Sequence, residues 1–155
     1  VKIHPGYKNA YLLLGNSYYY LDDFEKSIEA YKKSLQLDAN FVDANNNLAV
    51  VYRDAGRNAG EKQNNIVLAE QYLLESFKLN PNDAETNRLL GIAYGLSGRH
   101  GQAIPYFENV TKLDPKNAAA FMNLSSAYRY NGDETNAARY RAIALSLDPK
   151  LGQGK

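Results

Sequence analysis

The chain has 155 residues, with 18 lysines and arginines, 17 aspartates and glutamates, and a formal net charge of +1. The two signs are interspersed, so the sequence lacks both the basic footprint of a nucleic-acid-binding domain and an acidic tail. It contains no cysteine, which excludes disulfides and thiolate metal sites within the chain. Its apolar runs are shorter than a membrane span, no targeting signal is visible, and no compartment is indicated.

Residues 1–7 precede the first helical pattern. The apolar-x-apolar-x-Pro spacing of residues 1–5 repeats at residues 77–81 and 145–149. Because proline cannot continue a helix, each of these segments predicts a helix end. We therefore interpret residues 1–7 as the end of a truncated upstream unit; an irregular N-terminal arm is the alternative.

A pair of consecutive helical patterns then occurs four times along the chain. In residues 84–117, a stretch of about 34 residues, they are separated by Ser97-Gly98 and stopped by Asp114-Pro115. The same pattern recurs in residues 8–41, 42–83 and 118–151. Helices are predicted over residues 8–21, 42–55, 65–79, 84–97, 99–113, 118–131 and 134–147, with a further helix after residue 23. The predicted N-caps are Asp22 or Asp23, Asn82 or Asp83, Asn117 and Asp133.

The second copy is about eight residues longer than the others, which have the regular period. The extra residues fall in segment 56–64, which is polar and has Gly56 and Gly60 in its first half. This composition predicts a loop. Alternatively, residues 61–65 extend the helix that follows.

Tyrosine recurs at one site in all four copies, at Tyr18, Tyr52, Tyr94 and Tyr128. Apolar residues spaced three and four apart share one helix face, so these rings are predicted to be core rather than a ligand cage. Small residues recur at Gly15, Ala49, Gly91 and Ser125, where helices are expected to approach closely. The last copy carries Glu134 where the first two copies have Phe24 and Ile66 and the third has His100, and Arg141 where the others have Tyr31, Leu73 and Phe107. We interpret this polar face as the end of the array, with tolerated substitution as the alternative.

The repeated residues resemble the tetratricopeptide repeat (TPR). The third copy carries the pattern as Leu90-Gly91, Tyr94, Gly98, Ala103 and Asp114-Pro115. The resemblance covers residues 8–151. It implies an all-α fold, a right-handed α-solenoid of antiparallel helix pairs (TPR superhelix). It also implies a single TPR domain over residues 1–155, with repeats at 8–41, 42–83, 84–117 and 118–151.

No group of residues in the sequence predicts catalysis. The two histidines, His4 and His100, lie in different repeats. No Ser/His/Asp set, metal-ligand spacing or phosphate-binding loop is present. We therefore predict no catalytic, metal or cofactor-binding residues and no enzymatic activity, although a larger parent protein could carry catalysis elsewhere.

The resemblance implies that the first helices of successive repeats line a concave peptide-binding groove. The residues that fall on this face are Leu12, Leu13, Asn16, Tyr19, Tyr20, Asn46, Asn47, Val50, Arg53, Arg88, Leu89, Ile92, Met122, Asn123, Ser126, Arg129 and Tyr130. Many are apolar, and exposed apolar patches usually mark interaction sites.

The groove residues also indicate which kinds of peptide could bind. Relatives that bind chaperone C-termini use three basic residues and two asparagines. Here the asparagine sites match at Asn16 and Asn47, but the basic sites are Leu12, Glu85 and Leu89, which argues against such a ligand. Asn47 and Asn123 occupy sites of the asparagine ladder that binds peptide backbone in the O-linked N-acetylglucosamine transferase array. The alternative is that these amides only solvate the groove.

The sequence thus predicts a non-catalytic protein–protein interaction scaffold. Its expected partner is a protein or peptide, with no nucleic acid and no direct membrane insertion. The first alternative is a C-terminal TPR region that recruits substrates or partners for a larger enzyme or membrane-anchored assembly protein. A second alternative is stacking of copies through the ends of the array.

Overall fold

A computed structural model describes the protein over residues 6–152, which contain eight α-helices and no strand. The helices are α1 Gly6–Tyr20, α2 Phe24–Leu37, α3 Val42–Glu61, α4 Ile66–Leu79, α5 Ala84–Leu96, α6 His100–Leu113, α7 Ala118–Tyr130 and α8 Glu134–Leu147. A short 3-10 turn, Pro149–Gly152, follows α8. The all-α prediction is confirmed. Of residues 1–7, which we interpreted as the end of an upstream unit, Gly6 and Tyr7 belong to α1, and residues 1–5 lie outside the described residues.

Five of the described helices, α2, α4, α5, α7 and α8, follow a residue whose side chain accepts a hydrogen bond from a backbone N–H of the first turn. Asp23 accepts from the backbone N–H of Lys26 at 3.2 Å, and Asp83 accepts from that of Thr86 at 2.8 Å. Asn117 and Asp133 cap α7 and α8 in the same way. Of the predicted alternatives, Asp23 and Asp83 are therefore the caps, while Asp22 adopts a left-handed backbone with φ of 57°.

Segment 56–64 is not the predicted loop, because α3 continues through it to Glu61. The alternative, an extension of α4, is also wrong, since α4 begins at Ile66 with Asn65 as its cap. Ala55, Gly56 and Ala59 are buried in this extension. A Cβ at Gly56 would lie 2.7 Å from the Leu73 side chain, so only glycine fits there. The extra residues thus lengthen a packed helix.

The chain divides into two compact units, Val1–Pro81 and Asn82–Lys155, called here the first and second units. Each contains two antiparallel helix pairs. The assignment of residues 1–155 to one domain, with the predicted repeat boundaries, stays a prediction.

Buried serines hold the paired helices together. Ser27 Oγ donates to the Gly15 carbonyl at 2.9 Å, and Ser76 Oγ donates to the Ala49 carbonyl at 2.8 Å. In the last pair the direction reverses, since Ser125 on the first helix donates to the Ala137 carbonyl at 2.7 Å. These bonds satisfy hydroxyls that would be costly to bury alone.

The first unit has its core between α2 and α3. Its buried members are Ile28, Tyr31, Leu48, Val51 and Tyr52. Gly15 allows α1 to pack directly on this core, because a Cβ there would lie 2.5 Å from the Tyr31 ring.

In the second unit, the corresponding buried residues of the core include Leu90, Phe107 and Leu124. A Cβ at Gly91 would lie 2.6 Å from the Phe107 ring. Arg141, at the site equivalent to Tyr31 and Phe107, is exposed. The helix α8 that carries it buries only Ala137 and Ala144 in the described part of the chain.

The repeated tyrosines differ in burial. Tyr52 and Tyr94 are buried as predicted, whereas Tyr18 and Tyr128 are half-buried. Within residues 6–152, no helix combines the length and the hydropathy needed to cross a bilayer.

Candidate functional site

The first-unit cleft is a concavity of about 180 Å³ between α1, α2 and α3. It is lined by Asn16, Tyr19, Tyr20, Tyr31, Asn47 and Val50. Five of these six are residues that the sequence placed on the binding face. Tyr20, at the edge of the cleft, is 83% exposed, whereas Tyr31 is buried and forms part of the core.

Asn16 is the centre of a hydrogen-bond network in this cleft. Its Oδ1 accepts from the Tyr31 hydroxyl at 2.7 Å and from Asn47 Nδ2 at 3.0 Å. A carbonyl oxygen has two lone pairs, so both acceptor positions of Asn16 are used. The two asparagines therefore bond to each other as well as bordering the cleft.

The extension cleft, a second concavity in the first unit, has a volume of about 350 Å³. It is lined by Tyr19, Tyr20, Asp22, Phe24, Asp54, Arg57, Asn58, Glu61 and Lys62. The last three lie in or directly after the extension of α3, so the extra residues of this repeat form one wall. Three carboxylates and two basic groups in the lining make the cleft strongly polar.

Asp54 organises the extension cleft. Its carboxylate accepts from the Tyr19 hydroxyl at 2.7 Å and is paired with Arg53 at 3.1 Å and Arg57 at 3.4 Å. The hydrogen bond to Asp54, together with burial, raises the pKa of Tyr19 to about 12. Arg53 is thus engaged by a neighbouring carboxylate.

The second-unit cleft has a volume of about 350 Å³ and is formed by α5, α6 and α7. It is lined by Gly91, Ile92, Gly95, Leu96, His100, Ala103, Phe107, Asn123, Ser126, Ala127 and Tyr130. No carboxylate, ammonium or guanidinium group lines it. The rings of His100 and Tyr130 stack at its rim with centroids 5.0 Å apart, and Tyr130 is 64% exposed.

Nine of the seventeen predicted binding residues line the first- and second-unit clefts. They are Asn16, Tyr19, Tyr20, Asn47 and Val50 in the first unit, and Ile92, Asn123, Ser126 and Tyr130 in the second. The other eight, Leu12, Leu13, Asn46, Arg53, Arg88, Leu89, Met122 and Arg129, line neither cleft.

Two of these eight residues correct the expectation of an exposed apolar face. Leu12 is half-buried and packs against the first-unit core. Leu89 is only 7% exposed. Leu12 lies three residues before Gly15 and Leu89 lies one residue before the buried Leu90, so both are at the boundary of the core-facing side of their helices, where a side chain can turn inward.

The arginines on the predicted face are held by neighbours on their own helices. Arg88 makes two hydrogen bonds to the Glu85 carboxylate, at 2.7 and 2.8 Å. The Arg129 guanidinium lies 5.2 Å from the centre of the Tyr130 ring, a cation–π contact. Each of these guanidinium groups is therefore already in contact with a neighbouring side chain.

Sequence reasoning missed the contributions of second helices to both clefts. Tyr31 lines the first-unit cleft, and His100 and Phe107 line the second-unit cleft. The close approach of the helices at Gly15 and Gly91 lets the Tyr31 and Phe107 rings reach the face formed by the first helices. The available signal was the pairing of each glycine with an aromatic residue in the next helix.

Comparison with known families agrees with this architecture. A family profile described as "TPR repeat" matches residues 15–56, and one described as "Tetratricopeptide repeat" matches residues 88–151. Together they cover more than half of the chain. The chain belongs to the tetratricopeptide repeat family.

Solved TPR structures share its fold at low sequence identity. The MamA protein matches with 23% identity over 98% of this chain and 97% of that one, with a TM-score of 0.60. YrrB, described as a TPR protein with an unusual peptide-binding site, matches with 24% identity over 90% of this chain and 85% of its own, with a TM-score of 0.55. The N-terminal domain of stress-induced protein-1 from C. elegans matches with 19% identity over 71% of this chain and 93% of its own, with a TM-score of 0.62. The predicted TPR solenoid fold class is confirmed.

One curated relative is a much longer protein. Anaphase-promoting complex subunit 3 of Schizosaccharomyces pombe is 23% identical over 113 residues, which are 73% of this chain. The chain spans 16% of the length of that relative.

Proposed function

We propose that this TPR chain is a non-catalytic protein–protein interaction scaffold that binds a peptide segment of a partner in its first-helix clefts. TPR proteins generally mediate protein–protein interactions, which supports the general role. The finer proposal concerns where and how this chain binds.

The observation that carries the proposal is the presence of a first-helix cleft, edged by an exposed tyrosine, in each unit. Tyr20 borders the first-unit cleft and Tyr130 borders the second-unit cleft. Exposed apolar surface beside a concavity is typical of an interaction site, and tyrosine is among the residues enriched at binding hot spots. A peptide can cover the exposed part of such a ring and remove it from water.

A solved relative supports the same class of ligand. YrrB is described as having a peptide-binding site, and it shares the fold of this chain. By analogy, we place peptide binding in the clefts of this chain. We assign it no catalysis. The hydroxyl–carboxylate contact of the clefts, Tyr19 with Asp54, raises the pKa of Tyr19 to about 12 and so opposes formation of a nucleophilic phenolate.

The alternative is a region that recruits substrates or partners within a larger enzyme or membrane-anchored assembly protein. One observation favours it: the curated relative contains its matching segment within a far longer protein, named as a subunit of a complex. Peptide binding in the clefts is compatible with this role, since recruitment would use the same surface.

Peptide selection followed by calorimetry tests the proposal. A phage-displayed random 12-residue library is selected on the full 155-residue chain, and the Kd of each enriched peptide is measured by titration calorimetry. For every enriched peptide, Tyr20→Ala or Tyr130→Ala is expected to weaken binding by at least about 1 kcal/mol, roughly fivefold in Kd. Tyr7→Ala is the control, because Tyr7 is an exposed tyrosine of α1 that lines none of the three clefts. Equal affinities for the wild type and both cleft variants would overturn the proposal.

A further inference from the structure

We infer that the second-unit cleft is a socket for one large apolar side chain of a bound peptide. Asn123 and Ser126 hold the backbone of that peptide by hydrogen bonds. This inference rests on the proposed peptide-binding function and names the chemistry of its ligand. Three independent features of the cleft carry it.

The first feature is unfilled space above a helix glycine. Gly91 and Gly95 lie one turn apart on α5, and both line the cleft. At Gly91 the place of a side chain is taken by the Phe107 ring, 2.6 Å from an added Cβ. At Gly95 an added Cβ would have no atom within 4 Å. A side chain of a ligand can therefore approach the α5 backbone at Gly95 more closely than it could at any larger residue.

The second feature is that no carboxylate, ammonium or guanidinium group lines the cleft; the titratable side chains of its lining are those of His100 and Tyr130, stacked at the rim. Ile92, Leu96 and Phe107 provide aliphatic and aromatic surface. An ammonium group placed there would lose its hydration without gaining an anionic partner, and a carboxylate would meet only the His100 imidazole at the rim, so burying either group is costly. An apolar side chain would instead remove both surfaces from water. The extension cleft of the first unit shows the opposite chemistry, because Asp54 and Glu61 line it.

The third feature is a pair of polar side chains available at the edge of the apolar surface. In the described part of the chain, neither the Asn123 amide nor the Ser126 hydroxyl has a hydrogen-bond partner. Both lie on α7, one turn apart and beside the exposed Tyr130. An asparagine amide can donate to a backbone carbonyl and accept from a backbone N–H, which suits an extended peptide. Asn16 and Asn47 differ in this respect, since they bond to each other.

The decisive variant fills the socket from within the protein. Gly95→Leu places an aliphatic side chain in the open space above α5, and its backbone φ is not in the left-handed region. Leucine is a better helix former than glycine, so the fold is expected to persist. Ala138→Leu is the matched control, because it adds a leucine to an exposed position of α8 that lines none of the three clefts. Circular dichroism and thermal melting verify that both variants are folded.

The probes are peptides selected from the same random library on the full chain. The expected result is that enriched peptides share one Leu, Ile, Met or Phe, and that replacing it by alanine weakens binding at least tenfold. Gly95→Leu is expected to weaken the same peptides at least tenfold, Asn123→Ala about fivefold, and Ala138→Leu less than twofold. Replacing the shared residue by Asp or Lys is expected to abolish binding.

Each contrary outcome has a distinct meaning. Peptides that bind Gly95→Leu normally but lose affinity for Tyr20→Ala would overturn this inference while leaving the proposed function standing. A library that yields no enriched peptide would overturn both. Sedimentation velocity on the same variants provides a third outcome. If the wild-type chain is a dimer that Gly95→Leu dissociates, the socket accepts a second copy of the chain and the inference is wrong.

Discussion

The Tyr19 hydroxyl donates a hydrogen bond to Asp54 Oδ2 at 2.7 Å and thereby joins α1 of the first helix pair to α3 of the second. Arg53 and Arg57 flank the same carboxylate. A carboxylate that accepts from a phenol opposes loss of the phenolic proton, because deprotonation would place two negative groups in contact. The contact therefore couples the packing of the first unit to pH.

The first prediction is that the stability of the first unit decreases between pH 10 and pH 12. The pKa of Tyr19 is raised from 10.0 to about 12 by the hydrogen bond to Asp54 and by burial. In this window the folded chain keeps a proton that the unfolded chain has lost, so the free energy of unfolding falls as pH rises. Tyr19→Phe should make this fall shallower in urea denaturation at several pH values. Asp54→Asn should move the titration of Tyr19 toward its ordinary range in tyrosinate absorbance. An unchanged pH slope in Tyr19→Phe would contradict the assignment.

The second prediction contrasts two glycines one turn apart on α5. Gly91→Ala should destabilise the fold by about 1–3 kcal/mol, because its Cβ would overlap the Phe107 ring. Gly95→Ala should stabilise it by up to about 1 kcal/mol, since alanine is the better helix former and meets no atom there. Urea denaturation followed by circular dichroism measures both. A destabilising Gly95→Ala would show that the space above this residue is needed for folding.

The third prediction concerns the leucine that recurs in each first helix. Leu90 is fully buried, whereas the equivalent Leu14 is 42% exposed. Leu90→Ala should therefore cost about 2–5 kcal/mol, and Leu14→Ala about 1 kcal/mol or less. Leu124→Ala is expected to behave like Leu90→Ala, because that leucine is also fully buried. The test is the free energy of unfolding of the three variants; similar losses for Leu14 and Leu90 would disagree with their burial.

The fourth prediction tests the extension of α3. Ala59 is only 1% exposed, so Ala59→Asp should bury a carboxylate and cost roughly 2 kcal/mol or more. Asn58→Gln, one residue earlier, should change stability by less than about 0.5 kcal/mol, because Asn58 is half-exposed and the substitution adds no charge beside Asp54 and Glu61. Limited proteolysis adds a second readout, since a packed helix resists cleavage. Equal stability of the two variants, or preferred cleavage within residues 56–61, would restore the loop interpretation.

The repeat pattern predicted most of the helices, because their ends depend on local chemistry. Asp23, Asp83 and Asp133 each cap a helix through their own side chain, and this can be recognised from neighbouring residues alone. The extension of α3 was missed because two glycines suggested a break. The overlooked signal was the spacing of Ala55 and Gly56 with Ala59 and Gly60, which places small residues on one helix face, where α4 packs.

The binding face was harder to predict than the helices. Its residues were assigned from their positions in the repeat, which report the direction of a side chain but not the space around it. Leu12 and Leu89 turned out to be half-buried and buried, and Arg88 is paired with Glu85 on its own helix. Such outcomes depend on which neighbouring side chains leave room or supply a partner, and repeat position does not contain that information.

The Asn16 network also limits the register of a peptide bound, as proposed, in the first-unit cleft. Because its carbonyl oxygen is occupied by Tyr31 and Asn47, Asn16 can offer a ligand only N–H donors. A peptide backbone presents C=O and N–H groups in alternation, so only a C=O group can be opposite this residue. Sliding the peptide until an N–H faces Asn16 would place two donors against each other. For a peptide that lies along α1 as proposed, the Tyr31 hydroxyl and the Asn47 amide thus restrict the register through Asn16.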